Sequence, residues 1–251
     1  MKYYEQLIDK RIFSYQDLID IVGGNSSTAS SILRCYLQKG YIEKVRKNLY
    51  VSISLETGAG IANRFEIGSC VMEDAYISHH SAFEYYGMSN QLMYQMQISG
   101  SKRFRPFSYD GYEFSYFPER ITEGVIQKEN GIRITDYERT VLDSINDIEK
   151  VGGLAELFKC LKLIPYLDED KLISYLNSYN KQFLYQKTGF LLEYLKDSLK
   201  LRDAFFEDCR VKMKNSCRYF FSDVNKDTLE YSQNWNLYIP KDFKRVAELE
   251  E

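Results

Sequence analysis

The sequence predicts an α+β chain, and three observations predict it. Residues 3–39 show apolar side chains at helical spacing in short segments separated by Gly, Ser and Asn. Residues 41–51 and 92–118 alternate in the manner of strands around turn residues. From about residue 135 the spacing returns to that of helices. The expected organisation is a small domain over residues 1–58 and a larger mixed domain over 59–251, helical from about 135.

The first helix is expected over residues 3–10, where Tyr4, Leu7 and Ile8 share a face. Ser14 is a candidate N-cap, with Asp17 in the acidic slot of a capping box. The second helix then runs to about Val22, burying Leu18, Ile21 and Val22. Gly23-Gly24-Asn25 breaks it, because these residues accept positive φ at little cost. Ser26 or Ser27 is expected to cap a third helix, which Gly40 ends. Its apolar positions are Ala29, Ile32, Leu33, Tyr36 and Leu37, following i, i+3, i+4, i+7, i+8.

The opposite face of that helix carries Ser27, Thr28, Ser30, Ser31, Arg34 and Gln38. Small polar groups let a helix approach the major groove, and arginine bonds guanine edges bidentately. Tyr41 to Val51 reads as two strands folding back at Lys47-Asn48. From Arg34 to Lys47 the residues Arg34, Lys39, Lys44, Arg46 and Lys47 face only Glu43, a local excess of +4 in a chain of net charge −3. Two short helices, a glycine turn, a polar-faced helix and a basic hairpin make the pattern of a winged helix-turn-helix. The expected ligand is double-stranded DNA. Thr28, Ser30, Ser31 and Arg34 would face bases, Lys44, Arg46 and Lys47 would hold phosphates, and Asn48 would shape the wing tip. A protein-docking module with a merely solvated helix face is the competing structural reading.

About Ile53 to Gly60 reads as a linker or domain boundary, followed by a helix from Ile61 through Ile67 and a capped helix over Tyr76–Gly87. Residues 92–118 suggest two or three strands with Asp110-Gly111 as a hairpin turn, and Ile132 to Ile134 another strand. Thr135 or Asp136 would cap a helix through Ile148. Further helices are expected over 154–164, 169–177 and 188–199, and the tail from Arg202 has mixed character. Tyr175, Tyr179, Phe183, Tyr185 and Phe190 are expected mostly in the core.

Composition narrows the classes. The chain has 251 residues, 44% hydrophobic and 27% charged, ordinary values for a globular protein with a substantial core. No apolar run reaches the ~18 residues of a membrane span. The first residues lack the apolar core of a signal peptide, so a cytoplasmic protein without membrane contact is expected. The five cysteines, Cys35, Cys70, Cys160, Cys209 and Cys217, form no CxxC pair. Reduced, mostly buried thiols are expected, with no metal and no cofactor.

Three stretches resemble a known family. Leu37-Gln38-Lys39-Gly40-Tyr41-Ile42 with Arg46-Lys47-Asn48-Leu49-Tyr50 is similar to the winged-helix start of the AbiEi antitoxins of type IV toxin–antitoxin systems. Tyr76 to Ala82, with Gly87 downstream, resembles that family's SHxSA segment, and Ile134 to Asp143 its ERT-x-x-D segment. The resemblance covers roughly residues 1–150. It implies a repressor that binds inverted repeats of its own operator; one wing-helix unit contacts few base pairs, so two copies are expected, either side by side or as a dimer. It also implies a C-terminal domain that neutralises a cognate nucleotidyltransferase-like toxin.

Other candidate chemistry is weaker. Neighbouring residues on a helix point about 100° apart, so His79 and His80 do not readily share one ion; packing is the expected role. Asp136 reads as a cap, Glu138 as a complement to the helix dipole, and Arg139 with Asp143 as an i,i+4 ion pair. Arg139 could instead reach the segment around His79. Phosphate-binding glycine loops, GxSxG and HExxH are missing, so no catalytic residues and no enzyme activity are expected. Lys102, Arg103 and Arg105 beside Phe104 and Phe107 form a second basic cluster, either solvated, phosphate-binding or facing a partner protein. The alternatives to a repressor–antitoxin are a ligand-responsive regulator without a toxin partner and a DNA-targeted enzyme.

Overall fold

A computed structural model describes residues 2–213, 216–221 and 228–246. The fold is mixed α+β, and the chain forms two compact units, neither a single run of sequence. The first comprises residues 1–77, 94–118 and 127–133, and the second residues 78–93, 119–126 and 134–251.

The first unit begins with α1 (Tyr4–Lys10), β1 (Ile12–Phe13), α2 (Tyr15–Ile21), α3 (Ser26–Gln38), β2 (Ile42–Arg46) and β3 (Leu49–Ser52). The Ser14 side chain accepts from the Asp17 amide and Asp17 answers to the Ser14 amide, the reciprocal box expected from their spacing. Asn25, rather than Ser26 or Ser27, caps α3: its side chain accepts from the Thr28 amide at 2.9 Å. The helix simply begins one residue earlier than serine capping would allow. β3 pairs antiparallel with both β1 and β2. Leu7, Phe13, Leu18, Ala29, Tyr36, Ile42 and Tyr50 bury their side chains in one cluster, which binds helices to sheet. Leu37, expected in that stripe, is instead 36% exposed.

The unit continues past residue 58. Ile53 bridges Gly60, and Arg11 donates from Nε to Glu66 Oε1 at 2.6 Å and from a terminal nitrogen to Glu66 Oε2 at 3.0 Å. Glu66 is buried and lies in α4 (Arg64–Ser69), which starts later than Ile61 because Asn63 caps it in a second capping box. β4 (Tyr76–Ile77) follows, so the stretch expected as one helix to Gly87 begins as strand. α5 (His79–Tyr85) belongs to the second unit. Then come β5 (Gln95–Gly100), β6 (Phe107–Tyr109) and β7 (Tyr112–Pro118). β6 and β7 form the hairpin expected at Asp110-Gly111, where both residues take positive φ. β7 runs parallel to β5, and β5 antiparallel to β4.

β8 (Val125–Gln127) and β9 (Arg133–Thr135) lie where the chain passes between units. The second unit is largely helical: α6 (Tyr137–Asn146), α7 (Gly153–Lys162), α8 (Glu169–Tyr179), α9 (Gln182–Glu193) and α10 (Asp203–Lys212). Asp136 caps α6. That helix stops at Asn146, and a 3-10 turn over Ile148–Val151 follows. α9 lies six residues earlier in its start than the expected 188–199, because buried Leu184, Tyr185 and Gln186 extend its inner face. In the tail, β10 (Arg218–Tyr219), β12 (Leu237–Pro240) and β11 (Leu229–Ser232) form a small sheet in that order, before α11 (Phe243–Val246). Tyr175, Tyr179, Tyr185 and Phe190 are buried as expected, and Phe183 is partly buried. Of the cysteines only Cys160 and Cys209 are buried; Cys35 is intermediate, and Cys70 and Cys217 are exposed. Among the described residues no helix is long and apolar enough to cross a membrane.

Candidate nucleic-acid interface

The first unit brings the expected DNA-facing residues onto α3 and the β2–β3 hairpin. Gly23 and Gly24 turn the chain with φ of +83° and +84°, and the Gly24 amide donates back to the Ile19 carbonyl at 2.8 Å. This closes α2 and turns the chain toward α3. Ala29 and Tyr36 are buried beneath α3, which sends Ser27, Ser30, Ser31, Arg34 and Gln38 outward as one exposed stripe. Thr28 is half-buried.

Some of this stripe is already engaged. Ser31 Oγ donates to the Ser27 carbonyl at 3.0 Å. Tyr15 gives its phenol proton to the Ser26 carbonyl, so the 2.6 Å contact between Tyr15 Oη and Ser30 Oγ has Ser30 as donor. Ser30 and Ser31 therefore offer lone pairs outward and no spare proton. Arg34 and Gln38 make no hydrogen bond or ion pair among the described residues. They hold most of the donor capacity of this face.

The hairpin is less uniform than its sequence. Lys44 and Lys47 are exposed and unpaired among the described residues. Lys39 lies with its ammonium 6.0 Å from the Tyr41 ring centroid. Asn48 takes φ +62° at the turn, and its side chain accepts from the Tyr15 amide at 3.0 Å, tying the hairpin to the start of α2. Arg46 is half-buried, with its guanidinium over the rings of Phe104 and Phe107 at 5.6 and 5.2 Å. Ring faces attract cations, and packing there competes with the phosphate contact expected of Arg46. Lys102, Arg103 and Arg105 flank Phe104 and are exposed. Together with Arg46, Met72 and Phe104 they line an open groove. The sequence marked that cluster by composition; its attachment to the hairpin through Arg46 had no local signal.

The remaining candidates lie in the second unit. Asp136 accepts from the Arg139 amide, from Tyr175 Oη at 2.8 Å and from Lys171 Nζ at 3.1 Å. Glu138 accepts from the Asp168 amide at 2.8 Å, and burial pushes its carboxyl above the usual range. Arg139 pairs with Asp143, as its spacing predicts. One of its terminal nitrogens donates to the carbonyls of Ile121 and Glu123. His79 and His80 point to different partners: His79 to Ser78 Oγ at 2.8 Å and Asp147 at 3.8 Å, His80 to Glu84 at 3.2 Å and Glu156 at 2.9 Å.

Asp147 yields a pH prediction. Burial works to raise its carboxyl pKa, but His79, Lys150 and Asn146 outweigh it and hold the group well below the usual carboxylate range. A depressed folded pKa adds stability that is complete above the unfolded value of about 3.9 and fades as pH falls through the folded one. Asp147→Asn should therefore lose less stability than the natural chain between neutral pH and the acid limb, read as urea midpoints. Parallel acid limbs would show that Asp147 makes no such contribution.

These elements define a mixed α+β protein whose exposed basic hairpin stands beside a polar helix. The particular likeness is to a protein of Mycobacterium tuberculosis, RV2827C, whose crystal structure matches with a TM-score of 0.64 over 94% of this chain and 89% of that one, at 14% identity. At that identity the likeness shows the fold alone. No protein-family model and no curated protein sequence matches the chain.

Proposed function

We propose that this chain is a DNA-binding transcriptional repressor and the antitoxin of an AbiE-like, type IV toxin–antitoxin system. The observation that carries the reading is the exposed stripe of α3 ending in Arg34 and Gln38, unpaired among the described residues, beside a hairpin presenting Lys44 and Lys47. On this reading α1–α3 and the hairpin are a winged helix-turn-helix. α3 lies in the major groove with Arg34 on a guanine edge, and Ser27, Thr28, Ser30 and Ser31 allow close approach. The hairpin lysines rest on phosphates, and Lys102, Arg103 and Arg105 lengthen that footprint. One such unit contacts few base pairs, so two copies occupy inverted repeats of the operator and silence the chain's own operon. The antitoxin half rests on the resemblance of residues 76–82 and 134–143 to AbiEi segments; its partner would be a nucleotidyltransferase-like toxin.

Titration into labelled DNA from the chain's own upstream region, against scrambled DNA at several salt concentrations, tests the DNA half. Arg34→Ala should cost about 1–3 kcal/mol on the operator and relax sequence choice. Lys47→Ala should weaken both DNAs alike and lower the salt slope by about 1. Equal affinity of the natural chain for operator and scrambled DNA would end the proposal of a repressor. Co-expression with a candidate toxin gene tests the other half: rescue of growth supports it, and unrelieved toxicity counts against it.

A further inference from the structure

We infer that His80, Glu156 and Cys160 form a zinc-binding site that joins α5 to α7. No sequence spacing announces the set, since His80 stands 76 residues from Glu156. The fold brings them together inside the second unit. His80 Nε2 is 2.9 Å from Glu156 Oε1, and Cys160 Sγ is 3.5 Å from the same oxygen. One ligand atom from each residue lies within 4.8 Å of the other two. All three residues are buried, at 1%, 2% and 0% exposure.

Two features distinguish this cluster from an ordinary buried ion pair. The first is charge. His80 lies between two buried carboxylates, Glu84 at 3.2 Å from Nδ1 and Glu156 at Nε2. Both ring nitrogens thus face carboxylate oxygens, which makes the surroundings of the imidazole rich in negative charge. The second is an orphan: Glu156 Oε2 is buried with no hydrogen-bond partner among the described residues. A buried carboxylate oxygen without a donor is what a cation would satisfy.

The donor set suits zinc. Imidazole nitrogen, carboxylate oxygen and thiolate sulfur are its three protein ligand types. Zn2+ with the Glu156 carboxylate and a Cys160 thiolate is neutral, and Glu84 keeps its own charge beside the other nitrogen of a neutral His80. Glu84 then takes the place of the carboxylate that commonly holds a ligating histidine by its other ring nitrogen. Glu84 is itself fixed, since the Met93 amide donates to its Oε1 at 2.8 Å. Binding replaces the Cys160 thiol proton, which leaves to solvent, with a zinc–sulfur bond; no oxidation is involved. Depth in the core makes the site one of structural cohesion, loaded as the chain folds.

The test uses the full chain, refolded from denaturant with excess Zn2+ or Co2+ and then desalted. One metal per chain is expected, together with a thiolate-to-cobalt charge-transfer band and a higher thermal midpoint than the metal-free refolded chain. Cys160→Ser should abolish the band, and Glu156→Gln should lose the metal-dependent gain in midpoint. Removing exposed Cys70 and Cys217 together should change neither. Where Glu156→Gln fails to refold, the Cys160→Ser spectrum alone decides. Absence of retained metal, or a band that survives Cys160→Ser, overturns the site.

Discussion

Replacement of Arg139 by alanine is expected to destabilise the protein by about 3–5 kcal/mol, the cost of breaking a buried ion pair by removing one partner. Arg139 is 1% exposed, and its Nε donates to Asp143 Oδ1 at 3.0 Å. One terminal nitrogen donates to the carbonyls of Ile121 and Glu123 at 2.8 and 2.7 Å. The guanidinium also stands 5.8 Å from the Tyr179 ring centroid. Among the described residues, loss of the side chain leaves Asp143 buried with Tyr179 Oη as its remaining side-chain donor, while Asp143 Oδ2 already lacks a partner. It also leaves two carbonyls of the Ile121–Glu123 segment without the donor that anchors them to α6. That loss takes a large share of the 5–15 kcal/mol typical of a folded domain. Urea midpoints of Arg139→Ala, and of Arg139→Met with Asp143→Leu, separate the causes. The double variant should recover much of the loss, because no unpaired charge remains. A cost below about 1 kcal/mol in Arg139→Ala would show that the pair is not what holds this corner together.

The contrast between Arg139 and Arg46 shows where the sequence was legible. Arg139 and Asp143 are four apart on one helix, so their pairing follows from helix geometry alone. The Ser14–Asp17 box, the glycine turn and the polar stripe of α3 are equally local, and all three are found. Arg46 finds its partners in Phe104 and Phe107, and Arg11 finds Glu66, across distances no periodicity reports. The same holds for His80 and Glu156: the sequence shows that neighbouring histidines point apart, while the approach of Glu156 from α7 lies 76 residues away. The tail was opaque for a related reason. β10 runs parallel to β12, a pairing that leaves no hairpin signature between them. Asn25 was hidden by its neighbours, since two serines beside it are comparably good caps.

Gly189 offers the second large effect, and its sign tests packing against propensity. It sits inside α9, where alanine is worth up to about 1 kcal/mol more than glycine as a helix former. An added Cβ, however, would fall on the six-membered ring of Trp235, with its nearest atoms far inside contact distance. The ring cannot easily move. Trp235 is 1% exposed, and its Nε1 donates to Glu193 Oε2 at 2.7 Å. Its carbonyl accepts from Gln186 at 3.1 Å, and the Arg210 guanidinium lies 4.8 Å from the ring. Overpacking a fixed core site costs about 1–3 kcal/mol or more, so Gly189→Ala should lose about 2 kcal/mol net despite the better helix former. In a Trp235→Leu background the obstruction is gone, and the same change should stabilise by a few tenths of a kcal/mol up to about 1. Urea midpoints of the two single variants and the double variant read this reversal directly. Stabilisation by Gly189→Ala with Trp235 present would mean that the indole yields. In that case the small tail sheet carrying Trp235 beside α9 is more loosely held than its hydrogen bonds imply.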